Sequence, residues 1–226
     1  MKIKTPLTKE RLRNHFTYSI WKYILAVGLC IVCVNLLYTT TAYRSPEHLR
    51  VDLYVQSPTA TDEYVDAFMN EVWKNSVPEM ETVDSIMLTS TSDDYYGDMQ
   101  LSIYIMAREG DIYILRSQDY KKFASQGCFM DLAEYIDEGV IDTGDMDLSA
   151  GYVSLIDENG LPYGDKQLFG IPCKDLPGFK NAMYVDSSDL VLGVTVYNGN
   201  TDNVIAFVNE LIRLGKTAES PFYVAE

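Results

Sequence analysis

Apolar positions after residue 44 follow two alternating periods, and this pattern predicts strands that take turns with helices. Every second residue from Leu49 to Val55 is apolar, as in a half-buried strand. From Tyr64 to Trp73 the apolar residues instead recur at helical spacing, and Thr61 or Asp62 can cap a helix there. The first two elements of this part of the chain are therefore predicted to be a strand and a helix.

The alternation of strand and helix continues to residue 137. The next predicted elements are a strand over Thr82–Thr89, a helix over Tyr95–Glu109, a strand over Ile112–Leu115, a helix closed by Gly127, and a short amphipathic turn over Leu132–Ile136. In the helix that begins at Tyr95, the residues Met99, Ile103 and Met106 recur at helical spacing. Strands that are joined through helices pair in parallel, with right-handed crossovers. The sequence thus predicts an α/β fold with a mostly parallel sheet.

Beyond residue 137 the pattern is looser, and it ends in one strongly periodic helix. The predicted short strands are Tyr152–Asp157, Gln167–Pro172, Asn181–Val185 and Val191–Tyr197. Thr201 or Asp202 caps the final helix, and Gly215 closes it.

An uncharged apolar run over Tyr23–Tyr43 changes the picture, because a membrane-spanning helix needs roughly 20 such residues. Six basic residues and one acidic residue precede the run, so the positive-inside rule puts the N-terminus in the cytoplasm. We expect a cytoplasmic tail over 1–19, one transmembrane helix over 20–43 and an extracytoplasmic domain over 44–226. The alternative is a signal peptide cleaved after Ala42, and the length of the run favours the uncleaved anchor.

The charge of the predicted exterior domain excludes one large class of function. Of the 18 basic and 33 acidic residues in the chain, twelve basic and thirty-two acidic residues follow the apolar run. So acidic a surface repels phosphate backbones, and nucleic-acid binding is not expected. Hydrophobic residues make up 47% of the chain, which is enough to build a core.

Four short segments of the predicted exterior domain form a recognisable set: the strand Asp111–Leu115, the turn Gly127–Leu132, the strand Leu168–Pro172 and the helix Thr201–Leu214. Together they resemble the first lobe of bacterial extracellular solute-binding proteins, the substrate receptors of ABC importers, and Leu168–Pro172 is similar to the y-G-I-P motif of that family. The resemblance implies a periplasmic-binding-protein-like lobe that binds a small solute such as a saccharide, with an ABC permease or a sensor as partner. About thirty residues separate Pro172 from the final helix, so we expect a single lobe.

The candidate ligand site follows from the predicted sheet, because ligands sit beyond the carboxyl ends of parallel strands. The loops at that edge are 57–62, 90–96 and 116–119. Their candidate ligand-binding residues are Ser57, Thr59, Asp93, Tyr95, Tyr96, Arg116 and Asp119. A tyrosine ring can stack on a sugar, and Arg116 can bind a carboxylate through two N–H groups. The alternative is that these loops are ordinary solvated turns.

No motif for catalysis, a metal or a cofactor is present, so we expect a non-enzyme. The two histidines are His15 and His48, and the acidic runs 142–147 and 157–159 lack calcium-loop spacing. Cys128 and Cys173 can form a disulfide or stay as two thiols. The main alternative function is an envelope protein–protein interaction module without a small ligand. A hydrolase with an unrecognised carboxylate pair is a third.

Overall fold

The computed structural model divides the chain into two units, Met1–Arg44 and Ser45–Glu226. The structure describes residues 8–43, 45–57, 62–88, 95–195 and 199–222.

The first unit is one helix, α1, over Lys9–Thr41. Its segment Thr17–Thr41 has a mean hydropathy of 2.1, and it is the one helix in the described residues that is long and apolar enough to cross a membrane. A signal sequence near an N-terminus meets the same criterion. Both interpretations of the apolar run therefore agree with the helix, and its orientation remains a prediction.

The second unit alternates strands and helices, as the apolar pattern predicts. Its elements are β1 (Arg50–Gln56), α2 (Asp62–Ser76), β2 (Thr82–Leu88), α3 (Tyr95–Met106), β3 (Ile112–Arg116), α4 (Ser117–Ala124), α5 (Ala133–Asp137), β4 (Tyr152–Ile156), β5 (Pro162–Leu168), β6 (Gly170–Pro172), α6 (Pro177–Met183), β7 (Leu190–Val194) and α7 (Thr201–Thr217). Short 3-10 turns lie at Glu47–Leu49 and Ser149–Gly151.

Five strands form one sheet in the order β2-β1-β3-β7-β6. β1 pairs in parallel with β2 and with β3. β7 runs antiparallel to both of its neighbours, β3 and β6, so four of the five strands point the same way. The prediction of an α/β fold with a mostly parallel sheet is thus confirmed. β4 and β5 form a separate antiparallel hairpin.

The sheet is buried on both faces, and each face has its own hydrophobic core. β3 shows the division: Ile112 and Ile114 belong to the core that contains residues of α2, α6 and α7. Tyr113 and Leu115 belong to the core that contains residues of α3 and α4. Successive side chains of a strand point to opposite faces, so a fully apolar strand such as β3 must be covered on both sides.

The predicted strand Asn181–Val185 is wrong, because the structure has the helix α6 over Pro177–Met183 there. Proline at the first helical position fits the start of a helix, since its fixed φ is helical and its missing N–H would have no partner there. Phe179, Ala182 and Met183 are buried in the core beside α7. Their spacing of three and four residues is helical, and it was the signal for this element.

The predicted strand Gln167–Pro172 is divided between two sheets. β5 begins earlier, at Pro162, and pairs with β4, whereas β6 pairs with β7. Phe169 lies between the two strands and is buried in the core beside α4. β5 side chains from Pro162 to Gln167 are exposed, so the residues carry no apolar alternation that would have indicated a strand.

Gly110 allows the chain to turn from α3 into β3. Its φ is +82°, in the region that glycine adopts without strain. A Cβ at this position would come within 2.4 Å of the Tyr54 ring. That ring stacks on Tyr113 with a centroid separation of 4.9 Å, so Gly110 also makes room for the tyrosine stack.

Candidate functional site

The carboxyl ends of three strands meet at one edge of the sheet, because β1, β2 and β3 are parallel. β1 ends at Gln56 and β3 at Arg116, and the antiparallel β7 begins beside Arg116 with Leu190. This is the edge at which open α/β sheets bind ligands. The polar side chains at this edge therefore form the candidate ligand-binding site.

Gln56, Arg116 and Asp119 form one hydrogen-bonded cluster at this edge. The Gln56 side chain accepts the Arg116 backbone N–H at 2.9 Å and donates to Oδ2 of Asp119 at 2.8 Å. The same Asp119 oxygen accepts Nη2 and Nε of Arg116 at 2.8 and 3.2 Å. Asp119 lies in the first turn of α4, where the helix dipole favours a carboxylate. The cluster thus ties the end of β1 to the β3–α4 corner.

A second carboxylate approaches the same guanidinium from α3. Oδ1 of Asp98 lies 3.9 Å from Nη2 of Arg116, and it is buried without a hydrogen-bond partner among the described residues. The Arg116 side chain is 23% exposed. Within the described part of the chain, its Nη1 group makes no hydrogen bond to protein. A guanidinium has five N–H donors, so donors remain for a ligand.

Two tyrosines, Tyr64 and Tyr184, pack edge to face with ring centroids 4.8 Å apart. Tyr64 is in the first turn of α2, which follows β1, and Tyr184 ends α6, which lies between the carboxyl end of β6 and the start of β7. The order of elements therefore puts both residues on the same sheet edge. Tyr184 is half exposed and has a φ of +56°, a conformation that is uncommon for residues other than glycine.

The structure brings some of the predicted ligand residues together. Arg116 and Asp119 are in direct contact. Ser57 is buried directly after β1, and Tyr96 is exposed on α3. Thr59 and Asp93 lie outside the described residues, and Tyr95 begins α3 but its side chain is not among the described ones.

Sequence reasoning missed four residues of this edge: Gln56, Tyr64, Asp98 and Tyr184. Gln56 and Arg116 are 60 residues apart in the chain, and only the pairing of β1 with β3 brings them together. Asp98 is an ordinary helical carboxylate in the sequence. Tyr184 fell within the strand that was wrongly predicted, so no signal marked it.

The acidic turns that were considered for calcium use their carboxylates on the backbone. The Asp142 carboxylate accepts the backbone N–H of Gly144, and the Asp147 carboxylate accepts the backbone N–H of Ser149. The Asp157 carboxylate accepts the backbone N–H groups of Asn159 and Leu161. Among the described residues, no group of three or more His, Cys, Asp or Glu side chains is placed to hold a metal ion.

Cys128 and Cys173 are two free thiols in the structure. Cys173 is buried in the core beside α7, and Cys128 packs against the core on the other face of the sheet. The sheet therefore separates the two sulfur atoms. Burial raises the pKa of Cys173 to about 12 and also raises the pKa of Cys128, so neither thiol is activated.

A second polar cluster surrounds Asp52, near the other end of β1. Burial raises the pKa of Asp52 to about 6, although Arg50, with Nε 3.0 Å from Oδ2, acts in the opposite direction. Asp111 and Asp84 raise the pKa further by repulsion. The backbone N–H of Asp52 donates to the Asp111 carboxylate at 2.8 Å, so this cluster holds β1 and β3 together.

Two solved structures illustrate what this chain is similar to. One is an extracellular solute-binding protein family 1 from Alicyclobacillus acidocaldarius, with 14% identity, a TM-score of 0.41 and coverage of 57% of this chain. The other is the ABC substrate-binding protein Lmo0181 from Listeria monocytogenes in complex with cycloalternan, with 21% identity, a TM-score of 0.34 and coverage of 54%. This chain spans 28% of the length of each.

The likeness to these structures concerns the arrangement of helices and strands and does not extend to a site or a ligand. No family model matches the sequence, and no curated protein matches it significantly.

Proposed function

We propose that this chain is a membrane-anchored, extracytoplasmic solute-binding-like protein, which binds a small uncharged polar solute such as a saccharide for transport or sensing. The observation that carries the proposal is the Arg116 guanidinium, held between Asp98 and Asp119 at the carboxyl edge of the sheet with its Nη1 donors unbound by the described residues. An ABC permease or a sensor would be the partner.

The charges at this edge favour an uncharged ligand over an anion. Arg116 contributes one positive charge, and the two carboxylates that contact it contribute two negative charges. An anion would meet a net negative site on a domain that is itself strongly acidic. A hydroxylated neutral solute can accept from the guanidinium and donate to Asp98.

The membrane part of the proposal rests on α1. The apolar segment Thr17–Thr41 is long enough to span a bilayer, and basic residues precede it. We propose that it stays uncleaved, with the N-terminus in the cytoplasm. A protease that digests a C-terminal tag on intact cells, but spares an N-terminal tag, would support this topology; the reverse pattern would refute it.

The ligand is tested by calorimetric titration of the full chain in detergent with neutral sugars and with the matching sugar acids. We expect binding of a neutral sugar, and loss of that binding in Arg116→Ala. Arg213→Ala is the matched control, because Arg213 also pairs with a carboxylate three residues away, on α7. Equal loss in both variants, or a preference for the acids, would contradict the proposed site.

We propose binding and not catalysis at this edge. The cluster of Gln56, Arg116 and Asp119 contains no hydroxyl or thiol nucleophile beside a base. Turnover of a glycoside that is lost in Asp119→Asn or Asp98→Asn would overturn this part of the proposal.

A specific observation favours the second candidate function, a protein–protein interaction module. The outer face of α3 carries Tyr96, Met99, Ile103 and Met106, and all four side chains are exposed. An apolar face of this kind commonly marks an interaction surface. The two functions are compatible, because this face and the polar sheet edge use different side chains.

A further inference from the structure

The helix α3 is apolar on both of its faces, although the described residues of the chain cover only one of them. Leu101 and Ile105 are buried against the sheet in the core that also contains Tyr113. The outer stripe is 76% exposed at Tyr96, 44% at Met99, 55% at Ile103 and 78% at Met106. A helix that is apolar all round is ordinarily buried all round. The outer stripe therefore has the composition of a surface that another molecule covers.

The charge of the helix supports the same conclusion. The exterior part of the chain has many more acidic than basic residues, yet the twelve residues of α3 include one charged residue, Asp98. Asp98 pairs with Arg116 of the same chain. The outer stripe is thus an uncharged strip on an acidic unit, which is typical of the centre of a protein interface, where charged residues are depleted.

We propose that a second copy of this chain covers the stripe, through antiparallel packing of α3 on α3 of the other copy. The two-fold axis crosses the outer face of α3 at the height of residue 101, midway between Met99 and Ile103. A two-fold contact brings the same surface of both copies together, so a patch that is acidic throughout would meet negative charge on the other copy. An uncharged stripe avoids that repulsion, whereas most of this acidic surface would not.

The order of side chains along the stripe is self-complementary in this arrangement. With the axis at the height of residue 101, Tyr96 of one copy lies against Met106 of the other, and Met99 lies against Ile103. Thioether–aromatic contacts of the first kind are favourable. The second pair places two aliphatic side chains together at the centre. A parallel arrangement would instead put Tyr96 on Tyr96 and leave Met106 on Met106.

The size of the stripe predicts a weak dimer, which forms only when both copies are held in the same membrane. Four side chains exposed to this extent present on the order of 400–500 Å² of surface, near the upper range of apolar patches on monomers. Pairing two of them buries at most roughly 800–1,000 Å², which is below the roughly 1,200 Å² of a stable specific interface and in the range of weak encounters. Confinement of both copies to one membrane, which rests on the proposed anchor, raises their effective concentration.

The contact is tested by disulfide formation between two differently tagged full-length chains, co-expressed and kept in native membranes. Cys30→Ser and Cys33→Ser remove the exposed thiols of α1. One chain then carries Met99→Cys and the other Ile103→Cys. We expect the mixed disulfide to form several times more than either same-position disulfide. A pair of chains that both carry Val140→Cys is the control, because Val140 is also exposed, at 45%, and lies outside α3.

Two further measurements of the cross-linking yield test the same contact. Ile103→Glu should abolish the cross-link of a Met99→Cys pair made with a longer bismaleimide, whereas Val140→Glu should leave it unchanged. Raising the salt from about 50 mM to about 500 mM should increase the cross-link, because it screens the repulsion between two acidic copies.

Three outcomes would overturn the proposal. One is cross-linking no greater than in the Val140→Cys control. The second is same-position disulfides that exceed the mixed one. The third is a stripe cysteine that neither cross-links nor reacts with a water-soluble maleimide, since another molecule would then cover it. Extraction of the membranes with carbonate reports on the anchor separately, so failure of the anchor and failure of the contact are distinguishable.

Discussion

The helices α3 and α7 cover opposite faces of the same sheet, and they differ in what they turn away from it. α7 buries Val204, Val208 and Leu211 in its core and has Asp202, Arg213 and Lys216 among its polar residues. α3 buries Leu101 and Ile105, and its other side is the apolar outer stripe. The inner faces are alike because the sheet requires an apolar cover on each side. The outer faces differ, and an outer face reports on what else the helix contacts.

The difference shows why a helical period does not by itself reveal a core. Met99, Ile103 and Met106 recur at helical spacing and would ordinarily indicate the buried face. The structure buries Leu101 and Ile105 instead, because these two residues face Tyr113 and Leu115 of β3. In α7, by contrast, one apolar stripe exists and it is the buried one. Periodicity identifies the core face only where the other face is polar.

The largest expected effect tests the inner face of α7. Leu211 is fully buried, so Leu211→Ala should lower the free energy of unfolding by about 2–5 kcal/mol, through lost burial and the cavity left behind. Ile103→Ala on the outer stripe of α3 should change it by less than about 0.5 kcal/mol. Urea unfolding in a Trp21→Phe background measures both, because Trp73 packs against the core beside α7 and reports its loss. Equal effects would show that α3 is packed on both faces within one chain.

The next effect concerns Asp52, which lies on the α3 side of the sheet. Its pKa is about 6 in the folded chain and near 3.8 when exposed, so the folded state binds more protons between these values. This group therefore makes the free energy of unfolding fall as pH rises from about 4 to about 6, by at most about 3 kcal/mol.

The variant Asp52→Asn removes that titration. The difference in unfolding free energy between Asp52→Asn and the wild type, measured from pH 4 to pH 7, should move in favour of the variant as pH rises. Other carboxylates titrate in both proteins and cancel in the difference. A flat difference for Asp52→Asn would mean that Arg50 fully compensates the burial.

A smaller effect compares two ion pairs of the same sequence spacing. Asp119→Ala leaves Gln56 and the largely buried Arg116 without their shared acceptor, and should destabilise the chain by about 2 kcal/mol. Glu210→Ala on α7 removes a partner of the exposed Arg213 and should cost less than about 1 kcal/mol. Chemical unfolding of the two variants side by side measures the difference. A larger loss of unfolding free energy in Glu210→Ala than in Asp119→Ala would contradict the role of Asp119 as the shared acceptor of Gln56 and Arg116.

The smallest effect tests the outer stripe alone. Met106→Gln replaces one of its most exposed side chains and should change the unfolding free energy by less than about 0.5 kcal/mol, while it reduces cross-linking of a Met99→Cys pair. Arg213→Gln on the outer face of α7 should cost less than about 1 kcal/mol and should leave the cross-linking unchanged. A clear loss of stability in Met106→Gln would show that Met106 is needed for the fold itself.

Local patterns were enough to predict most of this fold, because β1, α2 and α7 each show one clear period and β3 is a short apolar run that follows Gly110. They were not enough for α6, where Asn181–Val185 was mistaken for a strand, or for β5, whose side chains are mostly exposed. Arg116 and Asp119 were predicted together because both lie in the segment that follows the carboxyl end of β3. Gln56 and Asp98 were missed because strand pairing and helix placement, not spacing in the sequence, bring them to Arg116.

The position of β7 between β3 and β6 has a consequence for how the chain reaches its folded state. Until β7 has been made, β3 has no hydrogen-bonded strand on the side away from β1. The side chain of Asn200 also donates to the carbonyl of Arg50, 150 residues earlier, and this bond must form as late as β7 does. Contacts so distant along the chain form slowly. If the chain is exported N-terminus first, its early strands must wait outside the membrane with an open edge, exposed to proteases and chaperones, until the last fifth has emerged.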